Sequence, residues 1–297
     1  MTNFSPETPI SPKLQNWQLD GRRLEADERG VYIDWHTTGG ETDDLPIVMM
    51  GGIGSNVHSL HRLGDKLSDM GHDVLRVDVT RSPKIGRGAL KAVSLWGKAE
   101  MADIKTYAGL INDTLDAEGI DRAYLVGHSF GGVQAEMAAI DHKDRVAGLA
   151  LLNTVGGFAI CPPTPEALEM VSKPSREDIN EVARVYGGPF LDNPQLVADL
   201  GMNKPRDHET ERAYRLSQST APSSLLRVAP MIHRLQQPTL VVTGEYDPLV
   251  PSPNADYLHY WLPDSTLRTI GGGHMDLIVD ADPFADAISD HHARIKR

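Results

Sequence analysis

The 297-residue sequence has one cysteine, Cys161, so no intramolecular disulfide can brace the fold. That cysteine sits in Ile160-Cys161-Pro162-Pro163. A nucleophilic thiol wants a sharp strand-to-helix turn, and this context instead suits a small, half-buried apolar residue. Basic residues are the minority, with 29 Lys and Arg against 41 Asp and Glu and a net charge of −12. Such a surface repels phosphate backbones and anionic headgroups, which argues against nucleic acid or anionic membranes as partners. No apolar run approaches the length of a transmembrane segment. The start Met1-Thr2-Asn3-Phe4-Ser5-Pro6 has neither the basic nor the apolar region of a secretory signal, so the expected location is cytoplasmic. No His or Cys pair stands at ligand spacing with a third ligand to match, and His291-His292 lies near the C-terminus. Walker and dinucleotide fingerprints are missing too, so neither a metal nor a cofactor is expected. Repeats and low-complexity tracts are lacking, and nothing fixes an oligomeric state.

What is present is a pattern of short buried strands. Residues 1–16 are rich in Pro and Ser and read as a loose N-terminal segment. Strand-like stretches at Trp17–Ala26 and Val31–Thr37 flank the turn Asp27-Glu28-Arg29-Gly30 and suggest a hairpin. A fully apolar run follows at Pro46–Met50, and largely apolar ones at Val74–Val79, Ala123–Val126 and Val146–Leu152. Runs of this kind suit strands covered on both faces of a parallel sheet. Helical patterns separate them, at about His58–Met70, Met101–Glu118 and Val133–His142. The alternation breaks over 154–234, where short amphipathic stretches and scattered Pro and Gly read as a mainly helical cap. It resumes with Thr239–Thr243, a helix near Asn254–Trp261, Thr266–Ile270 and a terminal helix from about Pro283. The expectation is an α/β core over 17–153 and 235–297, built on a mostly parallel, doubly wound sheet and interrupted by a cap at 154–234.

The chemistry concentrates at strand ends. Gly127-His128-Ser129-Phe130-Gly131 directly follows one apolar strand and directly precedes a helix. In a nucleophile elbow the serine occupies a strained turn, and its neighbours two before and two after must be small. A serine hydroxyl needs a base, and on this layout an acid and then a histidine follow in chain order. After Thr239–Thr243 comes Gly244-Glu245-Tyr246-Asp247-Pro248, with Asp247 the candidate acid and Glu245 its local rival. After the last strand comes Gly271-Gly272-Gly273-His274-Met275-Asp276, with His274 the candidate general base and Asp276 a helix-start acid. The side chain of His128 is expected to point away from the site. The oxyanion donors are expected to be the backbone N–H groups of Phe130 and of Ile53, the latter in Gly51-Gly52-Ile53-Gly54-Ser55-Asn56.

These motifs, in this order, resemble the α/β-hydrolase fold family from about Trp17 to the C-terminus. A narrower resemblance, to intracellular polyhydroxyalkanoate depolymerases, is carried by four stretches. They are Gly51–Asn56; Tyr186-Gly187-Gly188-Pro189-Phe190 with Asn193-Pro194; Gln237–Val242 with Asp247-Pro248-Leu249-Val250-Pro251; and Gly273-His274-Met275-Asp276-Leu277-Ile278. The resemblance implies a serine hydrolase acting through Ser129, Asp247 and His274 on a neutral apolar ester, here the hydroxyacyl ester of a storage polyester. Three departures are visible. Gly51-Gly52 stands where many relatives carry His-Gly, His128 and Phe130 flank the serine, and Val79-Thr80-Arg81-Ser82-Pro83 replaces the usual Gly-rich loop after Asp78. Other readings stay open: a generic small-ester or lactone hydrolase, a non-hydrolytic triad enzyme such as an acyltransferase or cofactor-free lyase, and a non-catalytic ligand receptor.

Overall fold

The four apolar runs form the middle of one sheet. The computed structural model describes residues 27–36, 45–87, 90–94, 97–156, 160–167 and 208–296. Its seven-stranded sheet contains β1 (Tyr32–His36), β2 (Ile47–Met50), β3 (Val74–Asp78), β6 (Ala123–His128), β7 (Val146–Leu152), β8 (Thr239–Gly244) and β9 (Ser265–Ile270), in the order β1-β3-β2-β6-β7-β8-β9. Only β1 runs antiparallel, against β3. A separate hairpin pairs β4 (Leu90–Ser94) with β5 (Gly97–Met101). The expected first hairpin strand at 17–26 lies outside the described residues. Its turn is present, with Asp27 accepting from the N–H groups of Arg29 and Val31 and Gly30 at φ +72°.

Strand geometry divides the core between two faces, because successive side chains point to opposite sides. In β2, Val48 and Met50 join one apolar cluster while Ile47 and Met49 join the other. The Val48 face is covered by α3 (Ile104–Ala117), α4 (Phe130–Asp141) and α6 (Pro253–Trp261). The Ile47 face is covered by α1 (His61–Asp69), α7 (Asp276–Val279) and α8 (Asp282–Ile295). A short α2 (Pro83–Arg87) follows β3. Strands β2, β3, β6, β7 and β8 are buried throughout, whereas β9, at an edge, is half exposed.

Of the expected insertion at 154–234, helix α5 (His208–Val228) is described, and 168–207 lie outside the described residues. Helix α5 does not stand clear of the core. It places Leu216 and Val228 in the Val48-side cluster, and Thr220 Oγ1 accepts from the Ala102 N–H at 2.9 Å. The apolar residues Phe158, Leu168, Val185, Tyr186 and Phe190, and the Asn193-Pro194 pair, fall outside the described residues. No described helix is long and apolar enough to cross a membrane.

Candidate active site

The strand order reverses at β2. Its neighbour β3 lies to one side, and the chain then crosses to lay β6 on the other. Crevices at the carboxyl ends of strands form at such a switch point. The loop Gly51–Asn56 leaves the end of β2, and Ser129 leaves the end of β6. Asp247 and His274 follow β8 and β9 at the same edge of the sheet.

Ser129 links strand to helix with φ 54° and ψ −122°, a conformation that a side-chain-bearing residue rarely adopts. Three hydrogen bonds hold it there. Its N–H donates to Leu152 O at 2.9 Å, and its carbonyl accepts from the Gly132 N–H at 2.9 Å and from Thr154 Oγ1 at 2.6 Å. The surrounding glycines are required by contact. A Cβ on Gly127 would stand 2.4 Å from Gly131 O, and one on Gly131 would stand 2.3 Å from Met50 O. Gly52 lies beside the serine, since a Cβ there would be 2.9 Å from Ser129 Cβ and 3.3 Å from its Oγ. The loop Gly51–Asn56 is therefore packed against the side chain of Ser129. It turns tightly, with the Ser55 N–H donating to Gly52 O at 3.1 Å, and carries Ile53 partly exposed at its tip. Phe130 opens α4 and is buried, its ring edge-on to Tyr107 with centroids 5.5 Å apart.

Asp247 and His274 meet directly. His274 Nδ1–H donates to Asp247 Oδ2 at 2.7 Å, and both side chains are almost wholly buried. The other carboxylate oxygen, Oδ1, accepts from the N–H groups of Leu249 at 2.9 Å and Val250 at 2.8 Å. Its rival Glu245 is exposed and engages its neighbour Tyr246. Asp276 caps the histidine loop, its Oδ2 accepting from the Gly273 N–H at 2.7 Å; burial raises its pKa.

Two residues that sequence reasoning did not select hold this arrangement. Asn153, at the end of β7, has φ 48°. Its Oδ1 accepts from the Gly244 N–H at 2.8 Å, and its Nδ2 donates to His274 O at 3.0 Å and Gly273 O at 3.3 Å. One side chain thus ties the loop carrying Asp247 to the loop carrying His274. The available signal was an Asn directly after a buried strand, since Asn tolerates the left-handed backbone better than most residues. His128 does not point away. Its Nε2 donates to His274 O at 3.0 Å, and the two rings lie 4.9 Å apart. Burial, and then the adjacent His274, push its pKa down to about 3, so His128 stays neutral beneath the loop.

Among the described residues no cluster of His, Cys, Asp and Glu could hold a metal ion. The chain matches the alpha/beta hydrolase family over residues 17–287. It is 28% identical to a poly(3-hydroxyalkanoate) depolymerase of Ectopseudomonas oleovorans, an alignment covering 90% of each protein. It is 26% identical to a 2-hydroxy-6-oxononadienedioate/2-hydroxy-6-oxononatrienedioate hydrolase of a Pseudomonas species, over 91% of this chain and 96% of that protein. Among solved structures, a serine hydrolase from the polyaromatic hydrocarbon-degrading bacterium Cycloclasticus zankles superposes with a TM-score of 0.69 at 20% identity. That superposition covers 89% of this chain and 94% of that one, and it speaks to the fold.

Proposed function

The chain belongs to the α/β-hydrolase family, and from that premise we propose that it cleaves carboxylic esters through an acyl-enzyme on Ser129. The observation that carries this reading is the buried Asp247–His274 hydrogen bond, set at the same sheet edge as a serine in a strained strand-to-helix turn. Ser129 Oγ attacks the ester carbonyl carbon while its proton passes to His274 Nε2. Asp247 keeps the Nδ1–H tautomer and stabilises the imidazolium. The N–H groups of Ile53 and Phe130 donate to the oxyanion, the latter also at the positive end of helix α4. The alcohol leaves with the proton from His274. Water, activated by the same imidazole, then releases the acid and restores Ser129.

The narrower substrate is a hydroxyacyl polyester of the polyhydroxyalkanoate kind. Support comes from the named depolymerase, whose similarity runs the length of the chain rather than along the common motifs alone. The segment 154–234 serves as the cap that covers the acyl group, with its last helix anchored on the core through Leu216 and Val228. Ser129→Ala should lower turnover of p-nitrophenyl butanoate by roughly 10⁴-fold or more, since nucleophile and base act as a unit. Free acid released by the wild type separates a hydrolase from a receptor or a lyase. A Ser129→Ala variant that keeps near wild-type activity would remove the nucleophile assignment. Free hydroxy acids from 3-hydroxyalkanoate oligomers support the polyester. Turnover of aryl esters or lactones alone moves the assignment to a generic esterase.

A further inference from the structure

Strand β7 carries no residue of the proposed mechanism, yet it lies between β6, which leads to Ser129, and β8, which leads to Asp247. Its end, Leu152-Asn153-Thr154, is hydrogen-bonded to all three loops that carry Ser129, Asp247 and His274. Leu152 O accepts from the Ser129 N–H at 2.9 Å, and Thr154 Oγ1–H donates to Ser129 O at 2.6 Å. Both backbone polar groups of the strained serine are thus met from this one segment. The Asn153 side chain serves the other two loops. It accepts from the Gly244 N–H at 2.8 Å and donates to His274 O at 3.0 Å and Gly273 O at 3.3 Å. Gly244 O in turn accepts from the Asp247 N–H at 3.3 Å, so Asn153 grips the turn that ends at the acid. His274 O also accepts from His128 Nε2 at 3.0 Å, which gives the base's own carbonyl two buried side-chain donors. Asn153 is 1% exposed and Thr154 3%, so both act through the groups they hold. Two features fit a built contact. Asn153 holds φ 48°, a left-handed backbone that few side-chain-bearing residues accept. Gly132 leaves the room that Thr154 fills, since a Cβ there would stand 2.5 Å from Thr154 Oγ1 and 2.6 Å from its Cβ.

We propose that Asn153 and Thr154 are positioning residues with separate duties: Thr154 fixes the nucleophile, and Asn153 fixes the acid–base pair. The inference rests on the ester-hydrolase reading, because each duty is a part of that mechanism. The separation follows from the bonds. Thr154 Oγ1–H reaches the serine turn, while the Asn153 side chain reaches the loops after β8 and β9. Ser129 holds φ 54° and ψ −122°, a conformation that persists only while its surroundings impose it. The Thr154 hydroxyl supplies part of that restraint. Asp247 and His274 come from different loops, and their 2.7 Å hydrogen bond requires the two loops to stay in register. Asn153 sets that register from the side opposite the imidazole, through the backbone of both loops. An error of about 1 Å in such a geometry costs on the order of 100-fold in rate, so the effect belongs in kcat. Neither residue forms part of a binding surface, so KM is left nearly unchanged.

The test compares Asn153→Gly, Thr154→Val and Thr154→Ser in the full chain. Glycine accepts the left-handed backbone, so Asn153→Gly removes the side chain without new strain. Valine matches threonine in shape and lacks only the O–H. Two readouts are taken: kcat and KM for p-nitrophenyl butanoate, and the NMR signal of the His274 Nδ1 proton in protein labelled with ¹⁵N-histidine. Asn153→Gly should lower kcat roughly 10- to 100-fold with KM within about twofold. It should also weaken the Nδ1 proton signal through faster exchange with water. Thr154→Val should lower kcat to a similar degree and leave that signal as in the wild type, and Thr154→Ser should restore the rate. Asn153→Asp, which keeps the acceptor for Gly244 and loses the amide donor, replaces Asn153→Gly should that variant fail to fold. Wild-type kcat in a folded Asn153→Gly or Thr154→Val variant overturns the proposal. Loss of the Nδ1 proton signal in Thr154→Val overturns the division of duties, as does a Thr154→Ser variant no faster than Thr154→Val. A wild type that turns over no ester, with a Nδ1 proton signal that Asn153→Gly still abolishes, counts against the hydrolase reading and for the hold on the acid–base pair.

Discussion

Two carboxylates stand within three residues of the end of β8, and burial separates them. Asp247 has one oxygen committed to the N–H groups of Leu249 and Val250, which aims the other at His274 Nδ1. Glu245, at the same loop, is turned to solvent. Asp247→Asn keeps the shape but presents an amide that favours the wrong imidazole tautomer, so kcat should drop by about 10⁴-fold. Glu245→Gln should change it by less than about twofold, in keeping with an exposed group. Steady-state rates on p-nitrophenyl butanoate check the ranking, and the opposite order would transfer the acid's role to Glu245. The residues legible in the sequence were those with a local context, a serine between glycines after a strand and a histidine after three glycines. Asn153 was not legible for a physical reason. Its partners Gly244 and His274 stand 91 and 121 positions away, and only the folded sheet brings them to one side chain. His128 escaped for the same reason, since its partner carbonyl lies 146 positions on.

At the scale of elements, strand β6, helix α4 and the end of β2 approach more closely than side chains allow. Gly131→Ala puts a methyl 2.3 Å from a backbone carbonyl, with no flexible atom to give way. Overpacking of this kind should destabilise by roughly 2–3 kcal/mol and displace the loop Gly51–Asn56. Gly109, inside helix α3, is the control, because a Cβ there meets nothing within 4 Å. Gly109→Ala should stabilise by about 0.5–1 kcal/mol, through reduced freedom of the unfolded chain and better helix propensity. Urea midpoints of the two variants should move in opposite directions, and a shared direction would remove the contact argument. Strands β2, β6, β7 and β8 were readable because, buried on both faces, they draw mostly apolar residues at every position. The β4–β5 hairpin was not readable. Leu90-Lys91-Ala92-Val93-Ser94 and Gly97-Lys98-Ala99-Glu100-Met101 contain Lys, Ala, Gly and Glu, residues that are poor in strands, and show no run of apolar residues. Helix α3 was placed correctly but begins later than its apolar period suggests. Asp103 caps it by accepting from the Lys105 N–H at 3.0 Å, which makes Ile104 the first helical residue.

Across the whole molecule, folding buries several histidines in uncharged form. Desolvation is the largest cause for each, holding His58 and His128 at about 3 and His61 and His291 at about 4. In the unfolded chain a histidine titrates near 6.5. Between these values the unfolded state binds more protons than the folded one, so stability rises with pH and is lost as pH falls from about 6.5 toward 4. A displacement of this size is worth on the order of 3 kcal/mol for one buried histidine, and several together rival the about 5–15 kcal/mol that holds a domain folded. The protein should therefore unfold in acid before its carboxylates have fully titrated, with the urea midpoint falling steeply between pH 6.5 and 4.5. A buried acid works in the opposite sense. Glu136, in helix α4, is fully buried, neither carboxylate oxygen has a partner, and burial raises its pKa well above the usual carboxylate value. Above pH 4.5 the unfolded chain gives up that proton while the folded protein retains it, so this group lowers stability as pH rises. Glu136→Gln removes that dependence and leaves the histidines untouched. Relative to wild type, the variant should gain stability from pH 5 to pH 7.5 and keep the same acid-side fall. Urea denaturation at those two pH values measures the difference, and a gap that stays constant or narrows as pH rises would mean that Glu136 is not held in its neutral form.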